Sequence, residues 1–201
     1  MTLSEKAALE ATMRELELVE NEAHKSADLR IRRQWHEVCS QLQQRLDRDD
    51  DAIQHARAAL ESVGEGDFGT QHRNQARLVQ LLVNAGQLQD AESVLRKSLA
   101  DKESKIGGDD IITNYARADL AEFLVQLKSY AEAEELLQQA QKYLLTDVRV
   151  PVLQRERVAG VLAKLYDAWG KPERASIWRA KLDNRPASEP NSPEEISASG
   201  K

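Results

Sequence analysis

The chain has 201 residues, of which 31% are charged, 41% apolar and 4% aromatic, and its net charge is -6. A negative net charge disfavours a nucleic-acid partner, because the phosphate backbone attracts basic surfaces. The single cysteine, Cys39, excludes an internal disulfide and suits a reducing compartment. No apolar run approaches the roughly 18 residues of a membrane span, and residues 1–6 lack a signal-peptide core, so we expect a cytoplasmic protein without membrane contact.

The first 48 residues are predicted to form helices that precede the regular part of the chain. Apolar residues step by three or four positions from Leu9 to Leu46, as on one face of a helix. We favour two helices with a break near residues 25–28, because Ser26 can cap the second helix. The alternative is one projecting helix that pairs with a second chain as a coiled coil. Self-association through these helices is therefore an open possibility.

A repeat array is predicted over residues 49–183. Its first helix begins with three aspartates at 49–51, where the helix dipole favours acidic side chains. This helix resembles the second helix of a degenerate first repeat, and residues 29–46 would supply the first helix. The array would be followed by a disordered tail at residues 184–201, which is rich in Pro, Ser and Glu and has one large apolar residue, Ile196.

The same residue pattern occurs twice between Arg77 and Leu137, at a spacing of 42 positions. The first copy contains Leu82, Gly86, Leu88, Ala91, Glu92, Val94 and Leu95, and the second contains Leu124, Lys128, Tyr130, Ala133, Glu134, Leu136 and Leu137. A looser third copy contains Tyr166, Gly170, Pro172, Ala175 and Trp178. A period of about 20 to 50 residues indicates a solenoid built from one repeated supersecondary unit.

Each repeat is predicted to be a pair of antiparallel helices. In the best-defined copy, the apolar residues from Ala76 to Val83 follow the period of an amphipathic helix. Gly86 can then adopt a left-handed backbone that ends the helix, and a second helix starts near Gln89. The small residue early in the second helix, Ala91 in this copy, lets the two helices approach closely.

These repeats resemble the tetratricopeptide repeat, in the long 42-residue variant that is found in kinesin light chains. The C-terminal part, from Ser129 to Ala175, also resembles the repeat arrays of bacterial serine/threonine kinases. The resemblance implies an all-α, right-handed α-solenoid of about four antiparallel helix pairs. It also implies that the first helix of each pair lines a concave groove that binds a protein or peptide partner.

The groove residues implied by this resemblance lie on three first helices. They are Arg73, Gln80, Asn84, Tyr115, Glu122, Gln126, Arg157 and Lys164. The sequence departs from the family in the middle of these helices, where Ala76-Arg77, Ala118-Asp119 and Gly160-Val161 replace the usual asparagines. We therefore expect a non-catalytic interaction scaffold, and the alternative is the accessory repeat region of a bacterial kinase-type signalling protein whose catalytic domain is absent from this chain.

No catalytic, cofactor or metal site is predicted. Residues 64–69 match a GxGxxG string and contain Asp-Phe-Gly, but a helix precedes them, so a loop between repeats is the better interpretation. The aspartates at 47, 49 and 51 alternate as in a calcium loop, yet the required glycine and bidentate acid are missing. His36 and Cys39 are three residues apart, and the other histidines are scattered, so the four converging ligands of a zinc site are not expected.

Overall fold

A computed structural model describes residues 2–183 of the chain, apart from the side chains of His24 and Asp183. All regular elements in this part of the chain are helices: α1 (Leu3–Leu18), α2 (Glu20–Lys25), α3 (Leu29–Arg45), α4 (Asp49–Glu61), α5 (Phe68–Asn84), α6 (Leu88–Ile106), α7 (Ile111–Gln126), α8 (Tyr130–Leu144), α9 (Val152–Ala168) and α10 (Pro172–Asp183). The predicted tail at residues 184–201 lies outside the described residues.

The chain divides into two compact units, with the boundary between Lys105 and Ile106. In the first unit α3 packs on α4 and α4 on α5, and a hydrogen bond from Ser98 to Gln75 joins α6 to α5. In the second unit α7 packs on α8, α8 on α9, and α9 on α10. The predicted all-α fold of about four helix pairs is confirmed. The predicted division at residues 48 and 183 stays a prediction.

Three of the helix pairs contain the same turn. Gly86, Lys128 and Gly170 occupy one repeat position, and their backbones are left-handed, with φ of 73°, 62° and 74°. In each turn this residue donates its N–H to the carbonyl three residues back, and the following residue donates to the carbonyl five residues back. These two bonds satisfy carbonyl groups that the end of the helix leaves unpaired. The turn predicted at Gly86 is therefore confirmed, and Lys128 adopts it without being glycine.

The predicted small residues of the second helices are all fully buried. Ala91, Ala133 and Ala175 each have 0% exposure. Large side chains fill the same interiors, among them Leu82 of α5 and Leu124 of α7, which are 0% and 1% exposed. A side chain larger than a methyl group at the alanine positions would have to displace these close-packed neighbours.

The N-terminal helices form a separate apolar cluster with α3. Leu9, Met13 and Ala23 pack with Trp35 and Cys39 in this cluster. The predicted break near residues 25–28 is confirmed, because α2 ends at 25 and α3 begins at 29, and the alternative of one long helix is wrong.

Two details of the N-terminal prediction need correction. The N-cap of α3 is Asp28, whose Oδ1 accepts from the Arg30 N–H at 2.9 Å, whereas the predicted cap Ser26 ends α2. A carboxylate accepts this bond more strongly than a hydroxyl, which favours Asp28. A second break, at Val19, separates α1 from α2 and was not predicted from the apolar spacing.

Candidate partner-binding site

The first helices of the second unit, α7 and α9, pack side by side. Both are first helices of their pairs, so their N-terminal ends lie on the same side. Arg157 of α9 donates to Asp119 of α7 through its guanidinium, and the two side chains are 30% and 14% exposed. This ion pair joins successive repeats at the middle of both helices.

Glu122 extends the charged contact by one turn of α7. Its Oε2 lies 3.5 Å from Arg157 Nε, and its Oε1 lies 3.9 Å from Lys164 Nζ. The side chain of Lys164 is 74% exposed and that of Glu122 is 36% exposed. Ion pairs this exposed contribute roughly 0 to 1 kcal/mol, so an incoming charged group can replace either member at small cost.

Apolar surface lies closer to the N-terminal ends of the same two helices. Tyr115 is half-buried one turn before Asp119, and burial raises the pKa of its hydroxyl, while the nearby charge of Arg157 acts in the opposite direction. On α9, Leu153 lies one turn before Arg157 and is 73% exposed. We call Tyr115, Leu153 and the charged residues Asp119, Glu122, Arg157 and Lys164 the α7/α9 face.

Four of the five groove residues predicted on these helices are brought together in this face. Gln126 is exposed at the last position of α7, one turn beyond Glu122. On α9, Gly160 lies between Arg157 and Lys164, and a Cβ added there would meet no atom within 4 Å. The surface between the two charged side chains is therefore open to an incoming chain.

The three groove residues predicted in the first unit lie along α5. Arg73, Gln80 and Asn84 are all exposed. Arg73 donates to Thr70 Oγ1 at 3.2 Å, and Gln80 Nε2 donates to Asn84 Oδ1 at 2.8 Å, so these side chains bond within their own helix. Their role in binding stays a prediction.

A polar ladder between α3 and α5 was missed by the sequence analysis. Asn74 donates to Glu37 Oε1 at 2.9 Å, and Arg33 of α3 donates to the same oxygen at 2.7 Å. Arg77 donates to Ser40 Oγ at 3.3 Å and to Gln44 Oε1 at 3.2 Å. Burial lowers the pKa of Arg77, while the charge of Glu37 opposes this shift.

The signal for such contacts was present in the sequence. Arg77 and Asp119 are the residues that replace the family's asparagines in the middle of α5 and α7, 42 positions apart. Each of them joins its helix to another first helix of the same unit, Arg77 to α3 and Asp119 to α9. A polar residue at this repeat position therefore indicates a contact between first helices, even where asparagine is absent.

The histidines are less scattered than predicted. His36 Nδ1 and His55 Nδ1 are 3.1 Å apart, and the Trp35 ring meets both imidazoles edge-on. Their sequence separation hid this contact, which arises because α3 and α4 pack against each other. Within residues 2–183, no three His, Cys, Asp or Glu side chains are grouped to hold a metal ion.

Residues 64–67 lie in the loop between α4 and α5, but Phe68 and Gly69 already belong to α5, so the loop predicted at residues 64–69 ends earlier than expected. Asp67 is the N-cap of α5, and its Oδ1 accepts from the Thr70 N–H at 3.1 Å. Hydrogen bonds from Thr70 lower the pKa of this carboxyl group. The Asp-Phe-Gly triplet thus starts a helix.

Among the described helices, none combines the length and apolar character that crossing a membrane requires.

The structure is similar to the crystal structure of BtubC (BKLC) from P. vanneervenii, with a TM-score of 0.63. The similarity covers 94% of this chain and 80% of that chain, at 13% sequence identity. BtubC has a kinesin-light-chain-like, tetratricopeptide-type helical fold. This chain has a helical-repeat fold. At 13% identity this similarity concerns the fold alone. In comparisons of the sequence, no protein-family model and no curated protein matches the chain.

Proposed function

We propose that this helical-repeat chain is a non-catalytic, cytoplasmic interaction scaffold that binds a peptide or protein partner through the α7/α9 face. The observation that carries the proposal is the combination of the charge pair Glu122 and Lys164 with Tyr115 and Leu153, which lie two to three turns nearer the N-terminal ends of the same two packed helices. Partner recognition commonly combines an apolar anchor with polar contacts on a rigid surface. The helical-repeat fold supports a protein partner over a nucleic acid.

The face suits a partner segment with two kinds of group. An apolar side chain would pack between Tyr115 and Leu153, where burial of apolar area provides most of the binding free energy. An acidic group would pair with Lys164, and a basic group would pair with Glu122, each displacing a weak internal contact. Rigid helices keep these groups in place, so little conformational entropy is lost on binding.

The proposal is tested by affinity capture from a lysate of the source cells, followed by calorimetry with each captured partner. The test variants are Tyr115→Ala and Lys164→Glu, and the triple variant of Arg73, Tyr115 and Arg157 to alanine extends the test to α5. The matched control is Gln138→Ala plus Gln139→Ala, because both residues are exposed on the second helix α8.

We expect Tyr115→Ala to weaken partner binding at least tenfold, which corresponds to about 1.4 kcal/mol. The control should bind like the wild type, and circular dichroism should show unchanged helicity for all variants. Wild-type affinity in both Tyr115→Ala and Lys164→Glu would place the interface elsewhere and contradict the proposal.

Two related hypotheses concern the wider context of the scaffold. The C-terminal resemblance to bacterial kinase arrays suggests an accessory role in kinase signalling, and a kinase domain encoded immediately upstream would favour it. Self-association through α1 to α3 is the second hypothesis, because Leu18, Ile31 and Val38 are 83%, 50% and 42% exposed there. A monomeric mass by light scattering at high concentration would remove it.

A further inference from the structure

A recess lies in the first unit, whereas the α7/α9 face belongs to the second unit. It is a cleft of about 290 Å³ with α4 on one side, α6 on the other and α5 as its floor. Its volume is at the lower end of the range of small-molecule sites. The cleft is open between two ion pairs that tie its sides together, Arg57 to Asp90 at 2.8 Å and Glu65 to Lys105 at 3.8 Å.

The floor of the cleft is polar although it is buried. Gln75 and Ser98 are 4% and 7% exposed. Lys102 Nζ donates to Ser98 Oγ at 2.6 Å, and Ser98 Oγ donates to Gln75 Oε1 at 2.5 Å. Both of these hydrogen bonds are donated in the direction from Lys102 to Gln75. Gln75 accepts through Oε1 in this series, so its Nε2 hydrogens can donate to an acceptor group in an occupant of the cleft.

Both signs of charge surround the floor. Glu61 comes from α4, and Lys97 and Asp101 come from α6, one turn apart. Within residues 2–183, no ion pair within 4 Å joins any of these three to another described side chain. Glu61 is the last residue of α4, and Asp101 lies one turn beyond Lys97 on α6; both carboxylates line the cleft.

Aliphatic side chains complete the lining. Leu60 comes from α4, Leu78 from α5 and Val94 from α6. Lys97 can pair with an anionic group, whereas Glu61 and Asp101 repel one, so the lining favours an occupant that carries both signs of charge. A purely apolar molecule would leave the Gln75 donor without an acceptor, which costs free energy.

We propose that this cleft binds a small zwitterion with a short aliphatic body, the chemical class of a free amino acid. Its carboxylate accepts from Gln75 Nε2 and pairs with Lys97. Its ammonium group pairs with the carboxylates of the lining, Glu61 and Asp101, and its aliphatic part packs on Leu78 and Val94. This site is independent of the α7/α9 face, so either proposal can fail without the other.

The test is a two-dimensional ¹H–¹⁵N NMR titration of the full ¹⁵N-labelled chain with L-leucine. Two matched probes each remove one charge: N-acetyl-L-leucine lacks the ammonium group, and L-leucinamide lacks the carboxylate. We expect saturable shifts of the Gln75 side-chain amide and of backbone amides in residues 94–101, with at least tenfold weaker binding of both probes. No shift with 20 mM L-leucine, or equal binding of all three molecules, would overturn the proposal.

Two variants separate binding from folding. Gln75→Leu removes the floor donor, and Lys97→Gln removes the cation at the exposed rim without touching the core. Each should weaken L-leucine binding at least tenfold, whereas Ser104→Ala, on the exposed end of α6, should bind like the wild type. If Gln75→Leu fails to fold, Lys97→Gln decides, and wild-type affinity in that variant would contradict the proposal.

Discussion

Cys39 shows how burial controls the chemistry of one side chain. Its thiol is 0% exposed, and burial raises its pKa to about 12, with a further contribution from the negative charges of Glu20 and Glu17. The thiolate is the reactive form, so the folded protein holds this group inert at neutral pH.

We therefore predict that Cys39 does not react with Ellman's reagent at pH 8 until the protein unfolds. The measurement is the release of thionitrobenzoate with and without guanidinium chloride. One equivalent should be released only in denaturant. Complete labelling of the native protein within minutes would show that α3 exposes its thiol, contrary to the packing around Trp35.

Lys128 is strained by its backbone conformation. Its φ of 62° is one that L-residues other than glycine adopt at a cost of roughly 1 to 2 kcal/mol. Lys128→Gly should therefore raise the free energy of unfolding by about 1 kcal/mol, measured by urea denaturation. The matched control is the reverse change at the same repeat position, Gly86→Ala, which should lower the free energy of unfolding. The φ of Gly86 is 73° and an added Cβ there would meet no atom within 4 Å, so this loss would come from the backbone conformation alone. Equal stability of wild type and Lys128→Gly would contradict this explanation.

At the scale of elements, the contact between paired helices depends on small residues. Ala133 of α8 is 0% exposed, whereas Ala131 on the same helix is exposed. Ala133→Leu should destabilise the protein by about 1 to 3 kcal/mol, because extra methyl groups overpack a filled interior. Ala131→Leu adds the same atoms facing solvent and should change stability by less than about 0.5 kcal/mol. Thermal unfolding of both variants gives the comparison, and equal melting temperatures would refute the helix register.

The loop between α8 and α9 contains an acid-sensitive contact. Asp147 Oδ1 accepts from the Arg149 N–H at 2.9 Å, and the Arg149 guanidinium bonds the same carboxylate. Hydrogen bonds from Arg149 lower the pKa of Asp147 to about 2. A lowered pKa means that the contact stabilises the loop above the ordinary aspartate pKa and is lost as the pH falls through about 2.

We predict that the Asp147 carboxyl group titrates near pH 2 when it is followed by carbon-detected NMR. In Arg149→Gln the partner charge is removed, so the titration should move up toward the ordinary aspartate range near 3.9. An ordinary midpoint in the wild type would mean that the pair is not formed in solution.

At the scale of the whole molecule, an array of repeats needs a terminal helix that covers the last interior. In the second unit α10 has this role, since Ala175 is 0% exposed and Arg174 bonds Glu134 at 2.7 Å, beside the Tyr166 hydroxyl. Truncation before Lys171 should therefore lower the melting temperature and the solubility. Removal of residues 184–201 alone should do neither, because this Pro-, Ser- and Glu-rich segment has one large apolar residue, Ile196, and therefore little apolar area to bury. Equal melting temperatures for the two truncations would contradict the capping role.

The repeats could be predicted from the sequence because their determinants are local. The spacing of Gly86, Lys128 and Gly170 fixes where three helix pairs turn, and the apolar period fixes the face that each helix buries. The same regularity predicts that the small residues Ala91, Ala133 and Ala175 lie where paired helices approach closely. These features recur from repeat to repeat, so a wrong assignment in one copy is corrected by the others.

The tertiary structure decided which partner each polar side chain meets. Asp119 with Arg157 and Glu37 with Asn74 are separated by more than 35 positions, and their contacts depend on the rotation and offset of neighbouring helices. A period in the sequence gives the face of one helix, but the direction of a long side chain is set by the helix packed beside it. For the same reason the cleft over Gln75 and the contact between His36 and His55 left no recognisable pattern in the sequence.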